Sequence, residues 1–211
     1  MTMTKDNKKT AHKGRSKSQV KRSAIIAAAA DLFMEQGFDS TTMDDIAKSA
    51  NVSKQTVYSH FQSKEALFGA AIEDKVQEFD LTEEFFARDI SCEVMMLDLA
   101  VHLNDLLTSD GPIKMFRLCA ATAPTHPILS KLFFENGPQN INKLVTNYLS
   151  SQKKIGTMII DDVDDAARQF TFMIKGDAHH MLLFNMPPPS KKKTAVYLKS
   201  CVDVFLRAYK A

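Results

Sequence analysis

Lys54, Gln55, Thr56, Tyr58 and His60 crowd a short segment in which Val57 is the one aliphatic residue. Lys and Gln reach hydrogen-bonding groups on base edges, Thr donates or accepts, and Tyr and His suit phosphate oxygens. Ser53 stands where such a segment would begin, so Ser53, Lys54, Gln55 and Thr56 are the expected readers of base sequence. Thr41 and Thr42, and further on Ser63 and Lys64, stand where neighbouring helices should start. Backbone amides and hydroxyls at such starts attract anions, which makes Thr41, Thr42 and Lys64 expected phosphate contacts.

A second group has different chemistry. Met95, Met96, Leu99, His102, Leu103, Met115, Phe116, Cys119, Phe133, Phe134, Phe172 and His179 accumulate along the middle and later parts of the chain. Met and Phe make adaptable apolar walls, so the expected occupant is a small hydrophobic effector, aromatic or amphipathic. The same residues at helical spacing also fill ordinary cores. Asp177, His179 and His180 suggest a metal, but adjacent helical histidines point about 100° apart. The Asp177–His180 pair offers only two ligands where a structural zinc takes about four. Neither metal nor other cofactor is expected. The chain has no Gly-rich phosphate loop, no G-x-S-x-G, no H-E-x-x-H and no Cys–His pair placed for nucleophilic attack, so an enzyme is not expected either.

The elements that must position these groups read as one helix after another. Val20, Ile25, Ala28, Ala29, Leu32 and Phe33 make an apolar stripe that Gly37 ends. Thr42 with Asp45 has capping-box spacing before a short helix from Met43 to about Ala50. A tight connection through Asn51 and Val52 leads to Ser53, the expected cap of a second short helix ending near Phe61. Ile46, Ala47 and Val57 can pack together, with Val52 plugging the turn. The pair forms a helix-turn-helix whose second helix would enter the major groove. Ser63 caps a longer helix carrying Leu67, Ala71, Ile72, Val76 and Phe79. Beyond it, one helix is expected over 82–108, broken by Asp110-Gly111-Pro112. Others should cover 113–123, 127–135, 138–153, 162–186 and 191–209, with Pro187-Pro188-Pro189 dividing the last two. Met158-Ile159-Ile160 is a short β-like run, too brief for a sheet.

Composition agrees with a soluble protein. The net charge of +2 divides into 11 Lys/Arg against 7 Asp/Glu over residues 1–68 and 16 against 18 over 69–211. Lys5, Lys8, Lys9, Lys13, Arg15 and Lys17 face a single Asp6 in an arm with little apolar surface, an expected disordered phosphate contact. Cys92, Cys119 and Cys201 are too few and too scattered for a disulfide framework. No apolar run approaches the roughly 20 residues that span a bilayer, so a cytoplasmic protein without membrane contact is expected.

Residues 18 to about 80 resemble the DNA-binding domain of the tetracycline-repressor (TetR) family. The likeness rests on LFMEQGFDSTTMDDIAKSANVSKQTVYSHFQSKEALF, through Gly37-Phe38, Thr41-Thr42, Ile46-Ala47, Val52-Ser53, Val57-Tyr58, Phe61 and Ser63-Lys64-Glu65. Many family members carry Gly where this chain has Lys54 or Gln55, so base preference does not carry over. The resemblance implies an all-α chain of about nine helices, in which an N-terminal three-helix DNA-binding domain precedes a helical effector-binding and dimerisation domain. The expected division is a basic arm at 1–17, the helix-turn-helix domain at 18–68 and the effector domain at 69–211. Its implied function is a repressor that binds palindromic double-stranded operator DNA as a homodimer and is released by effector. The last two long helices would form the dimer, through Phe170, Met173, Ile174, Met181 and Leu182 on one and Val202, Phe205, Leu206 and Tyr209 on the other. A ligand-dependent activator is the alternative from the same fold. An architectural DNA-binding protein is the other, though it would be basic throughout.

Overall fold

An alanine-rich stretch with apolar residues at helical spacing forms α1 (Lys17–Ser40), which buries Ile25, Ile26, Ala29 and Phe33. Gly37 ends its regular part at φ 84°, a left-handed turn that a side chain would strain. A computed structural model describes residues 17–79 and 81–211 of the chain, so the expected basic arm before Lys17 lies outside the described residues.

Two short helices follow, α2 (Met43–Ser49) and α3 (Lys54–His60). Thr42 and Asp45 close the expected capping box: the Thr42 Oγ1 accepts from the Asp45 amide at 3.1 Å, and Asp45 Oδ2 accepts from the Thr42 amide at 3.2 Å. Asn51 takes φ 52° between them, and the Val52 amide returns to the Ala47 carbonyl at 3.0 Å. Asn tolerates that left-handed conformation better than most residues. Ser53 and Ser63 cap α3 and α4 (Lys64–Glu78), each accepting from the amide three residues on, at 3.1 Å.

The expected helix over 82–108 is two helices. Thr82 caps a single turn, α5 (Glu83–Phe86), and Ser91 caps α6 (Cys92–Thr108). Arg88 closes the gap: its Nε donates to the Phe85 carbonyl at 2.9 Å and its guanidinium pairs with Asp98 at 3.0 Å. The expected break after 108 is present, at extended Ser109, but Asp110-Gly111-Pro112 is not the connection. It is the first turn of α7 (Asp110–Thr122), where the missing proline N–H has no helical partner to lose. Then come α8 (Pro127–Asn136), α9 (Pro138–Lys154), α10 (Val163–Leu183) and α11 (Lys191–Tyr209). Met158 and Lys210 form a lone antiparallel bridge, all that becomes of the β-like run. The architecture is all-α.

Two apolar cores share the molecule. Ile25, Phe33, Ile46, Val57, Leu67 and Phe68 pack together under the short helices, with Met115, Cys119 and Leu129 of α7 and α8 completing that core from below. Phe33, Phe38 and Phe68 meet at its centre, with ring centroids 5.3–5.6 Å apart. The second core joins α6, α9, α10 and α11 through Met95, Met96, Leu99, Val145, Phe170 and Phe205. Helix α4 contributes to both, with Leu67, Phe68, Ala71 and Ile72 in the first and Val76 in the second. It runs without interruption past residue 68, so the two halves share a helix. Among the described residues no helix is long and apolar enough to cross a membrane.

Candidate functional site

The outer face of α3 carries the expected base readers. Val57 is fully buried against Ile46 and Ala47, which turns Ser53, Lys54 and Gln55 outward to solvent, with Tyr58 beside them. Thr56 and His60 are half-buried at the edges of that face. The Ser53 and Thr56 hydroxyls lie 2.8 Å apart. Lys54 reaches back to Asp44 of α2 at 2.7 Å, and this hydrogen-bonded ion pair raises the Lys54 pKa above its ordinary value. Both partners are exposed, so the pair is weak enough to open toward a stronger anion.

Two expected phosphate contacts are placed otherwise. Thr41 is completely buried. Its hydroxyl lies 2.8 Å from the Gly37 carbonyl and 3.2 Å from that of Leu32, while Gln36 Nε2 donates to it at 3.3 Å. It closes the end of α1 and has no hydroxyl to offer. The Lys64 ammonium points inward as well, donating to the carbonyls of Phe38 and Thr41 at 2.7 and 2.9 Å above the Phe38 ring. Thr42, next to Thr41 in sequence, stays exposed at the start of α2. There the capping box holds the Asp45 carboxyl below its usual pKa, chiefly through the Thr42 hydroxyl.

A cavity of about 640 Å³ lies between the two cores. Helices α4, α6, α7, α8, α9 and α10 wall it, with Met34 of α1 at one side. Leu103, Met115, Phe116, Phe133, Phe134, Phe172 and His179 of the expected set line it. Met95, Met96, Leu99, His102 and Cys119 do not. The first three are buried in the α6 core, and the His102 Nδ1 bonds to the Phe79 carbonyl at 2.9 Å. Cys119 belongs to the core beneath the short helices, where burial pushes its thiol up to about 12. Periodicity marks a residue as inward-facing but not which of two interiors it faces.

The cavity also has residues that the sequence did not suggest. Ile72 and Val76 enter it from α4, and Asn142, Thr146, Arg168 and Lys175 from α9 and α10. No motif marks these four; only the packing of α9 against α10 brings them together. The Lys175 ammonium stands 5.4 Å from the Phe116 ring centre, and burial lowers its pKa. His179 is 3% exposed, and its Nδ1 donates to the Leu107 carbonyl at 2.8 Å. Burial, then the nearby Lys175 and His180, holds its pKa below the ordinary histidine value despite that hydrogen bond. Among the described residues no three His, Cys, Asp or Glu side chains are grouped to hold a metal.

Helix α10 is held at its far end by α7. The Arg117 guanidinium donates to the carbonyls of Leu182 and Leu183 and to the Asn185 side chain, a cation at a helix C-terminus. Within α10, Gly176 departs from helical geometry at φ 46°, and Tyr197 of α11 donates to the Met173 carbonyl at 2.7 Å. A Cβ on Gly176 would stand 2.8 Å from the Tyr197 ring, so only glycine fits. Of the expected dimer residues, Phe170, Ile174, Val202 and Phe205 are buried within the subunit, while Met173, Met181, Leu182, Leu206 and Tyr209 are half-buried. Phe172, Phe184, Met186, Val196 and Val204 are the large apolar side chains left most exposed on and beside these two helices.

A helix-turn-helix head joined to a helical body that encloses a cavity defines a class, the helix-turn-helix transcriptional regulators. Comparison with known proteins narrows it. The family described as "Bacterial regulatory proteins, tetR family" matches residues 25–71, and the "AefR-like transcriptional repressor, C-terminal domain" matches residues 95–211. The chain belongs to the TetR family of transcriptional regulators, which bind DNA and are not enzymes. The biofilm operon negative transcriptional regulator IcaR of Staphylococcus aureus is 48% identical over 48 residues, 23% of this chain and 26% of that protein. The IcaR of Staphylococcus epidermidis is 44% identical over 50 residues, so these matches span about a quarter of each relative. A TetR-family regulator from Mesorhizobium loti superposes with a TM-score of 0.77 at 28% identity, over 93% of this chain and all of that one. The flavonoid-responsive regulator FrrA superposes with a TM-score of 0.70 at 27% identity, over 90% of this chain and 97% of that one.

Proposed function

We propose that the chain is an effector-released repressor that binds palindromic operator DNA as a homodimer. One observation carries this reading. Helix α4 lines the cavity with Ile72 and Val76 and supports the DNA-reading head with Leu67 and Phe68, one turn earlier. A molecule that enters the cavity pushes on the helix that packs against α1, on which α2 and α3 rest. Small displacements suffice, since about 2.8 kcal/mol of differential binding changes operator affinity about 100-fold.

The head reads DNA with Ser53, Lys54, Gln55 and Thr56 in the groove, and with Thr42, Tyr58, His60 and the amides at the starts of α2 and α4 on phosphates. Thr41 and Lys64 leave this set as side chains, because their polar groups are spent inside the protein. Two copies joined along α10 and α11 would set the recognition helices about 34 Å apart, one turn of DNA. Exposed Phe172, Val196 and Val204 supply the apolar face for that contact. Phe172 also lines the cavity, so a second subunit would cover its mouth. The negative regulation attributed to IcaR and the small-molecule response of FrrA both accord with this assignment.

Fluorescence anisotropy on the DNA upstream of the protein's own gene, with random duplex as competitor, tests the reading. Tight binding that an apolar compound releases is the expected result. Binding no stronger than to random duplex, or binding that no cavity occupant alters, would refute it.

A further inference from the structure

His179, a residue of the cavity wall, has a ring nitrogen whose hydrogen-bonding need is unmet and whose chemistry is fixed. The His179 Nδ1 lies 2.8 Å from the Leu107 carbonyl, which can only accept, so Nδ1 carries the proton. Burial keeps the ring neutral near pH 7. The Nε2 is therefore a bare acceptor, buried without a hydrogen-bond partner on a residue that lines the cavity. Asn142 Oδ1, across on α9, is buried and unpartnered in the same way. A buried acceptor left open is unfavourable, so the structure favours an occupant that supplies a donor.

The surroundings restrict what that donor can be. Lys175, four residues before His179 across the Gly176 kink, lines the same wall and already disfavours a second positive charge there. An ammonium group is thus a poor partner, and a neutral hydroxyl a good one. Beside His179 the wall is aromatic: Phe116 meets its ring edge to face at 5.4 Å, and Phe133 meets Phe116 in the same manner at 5.8 Å. Such walls suit a flat aromatic body.

We propose that the effector is a hydroxyaromatic compound whose hydroxyl donates to the His179 Nε2. This rests on the assignment of the cavity as the effector site. The probes are 2-naphthol, its methyl ether 2-methoxynaphthalene, and naphthalene, titrated into the full chain. The chain has no Trp, so naphthalene-ring fluorescence reports binding against the weaker emission of four Tyr alone. Because the hydroxyl satisfies an otherwise open buried acceptor, 2-naphthol should bind about 5- to 100-fold more tightly than its ether. His179→Phe should bring the two within about twofold while naphthalene still binds. Nitrogen NMR of histidine-labelled wild-type protein gives a readout that needs no variant to fold. The unprotonated ring-nitrogen signal of a neutral histidine should shift with 2-naphthol and not with the ether. Equal affinities, no binding of 2-naphthol, an unmoved nitrogen signal, or a preference that survives His179→Phe would each overturn the proposal. Failure of the effector-site assignment shows separately, as operator affinity that none of the three compounds changes; equal affinities with operator release leave that assignment standing.

Discussion

Replacing Lys64 by Met separates a structural lysine from a phosphate-binding one. The ammonium donates to the Phe38 and Thr41 carbonyls at 2.7 and 2.9 Å, and it stands 4.3 Å from the Phe38 ring centre. Met keeps the unbranched stem and removes the donors. A hydrogen bond from a charged group contributes about 1.5–3 kcal/mol, and a partly exposed cation–π contact about 0.5–1 kcal/mol. Lys64 is only half-buried, so water replaces part of what is lost, and the expected net cost is about 2 kcal/mol. In a chain of this size that lowers Tm by about 4–8 °C. Circular dichroism on the free protein measures the shift, and operator affinity from low to high salt measures the phosphate count. The expected result is a lower Tm with an unchanged salt slope. A phosphate-binding lysine behaves in the opposite way, leaving Tm alone and removing about 0.9 from the slope of log affinity on log salt. That outcome would refute the inward placement of Lys64.

Four further variants probe the rest of the molecule. Gln55→Ala should cost about 1–3 kcal/mol of operator binding and relax base preference at one position, and an unchanged footprint preference would remove Gln55 from the readers. Thr42→Ala opens the capping box and should cost about 1 kcal/mol, seen as a fall in Tm of about 2–4 °C; no change would show that the cap is idle. Because burial depresses the His179 pKa from 6.5, the unfolded chain takes up a proton there that the folded one refuses. This contribution to stability is intact above pH 6.5 and declines as pH falls below it, so the urea midpoint of His179→Phe should depend less on pH between about 5 and 7. Parallel profiles for variant and wild type would contradict that. Val196→Asp, on the outer side of α11 at 66% exposure, should leave the subunit folded and sediment as a monomer; a persisting dimer would place the contact elsewhere.

The local rules of helix starts were readable in the sequence. Thr42, Ser53 and Ser63 each cap the helix expected of them, because capping depends on a side chain and an amide three residues away. What depends on the rest of the fold was not. Thr41 and Thr42 are adjacent and chemically alike, yet one faces the interior and the other solvent. Nothing local announced that Arg88 would hold apart two helices whose apolar spacing reads as one. The Met and Phe pattern located buried faces on α6 and α7. Leu103 reaches the cavity while Leu99, one turn away, is wholly enclosed in the core that joins α6 to α9, α10 and α11. The polar residues of the cavity escaped notice for a related reason. Asn142, Thr146 and Lys175 look like surface residues on their own helices, and become cavity walls only where α9 and α10 meet.

The passage of α4 through both cores has a consequence for building hybrid regulators, in which the head of one protein is joined to the sensor of another. A splice at residue 68 divides a single helix, leaving Leu67 and Phe68 from one parent and Ile72 and Val76 from the other. Gly69 lies between them, packed so closely on Asn136 and Leu132 of α8 that an added methyl would meet the Asn136 side chain at 3.2 Å. Met115, Cys119 and Leu129 from the C-terminal half also complete the core beneath the head. A transplanted head would therefore inherit a floor shaped for a different protein unless α7 and α8 were recut with it. The unit that can be exchanged is a pair of matched surfaces, not a length of chain.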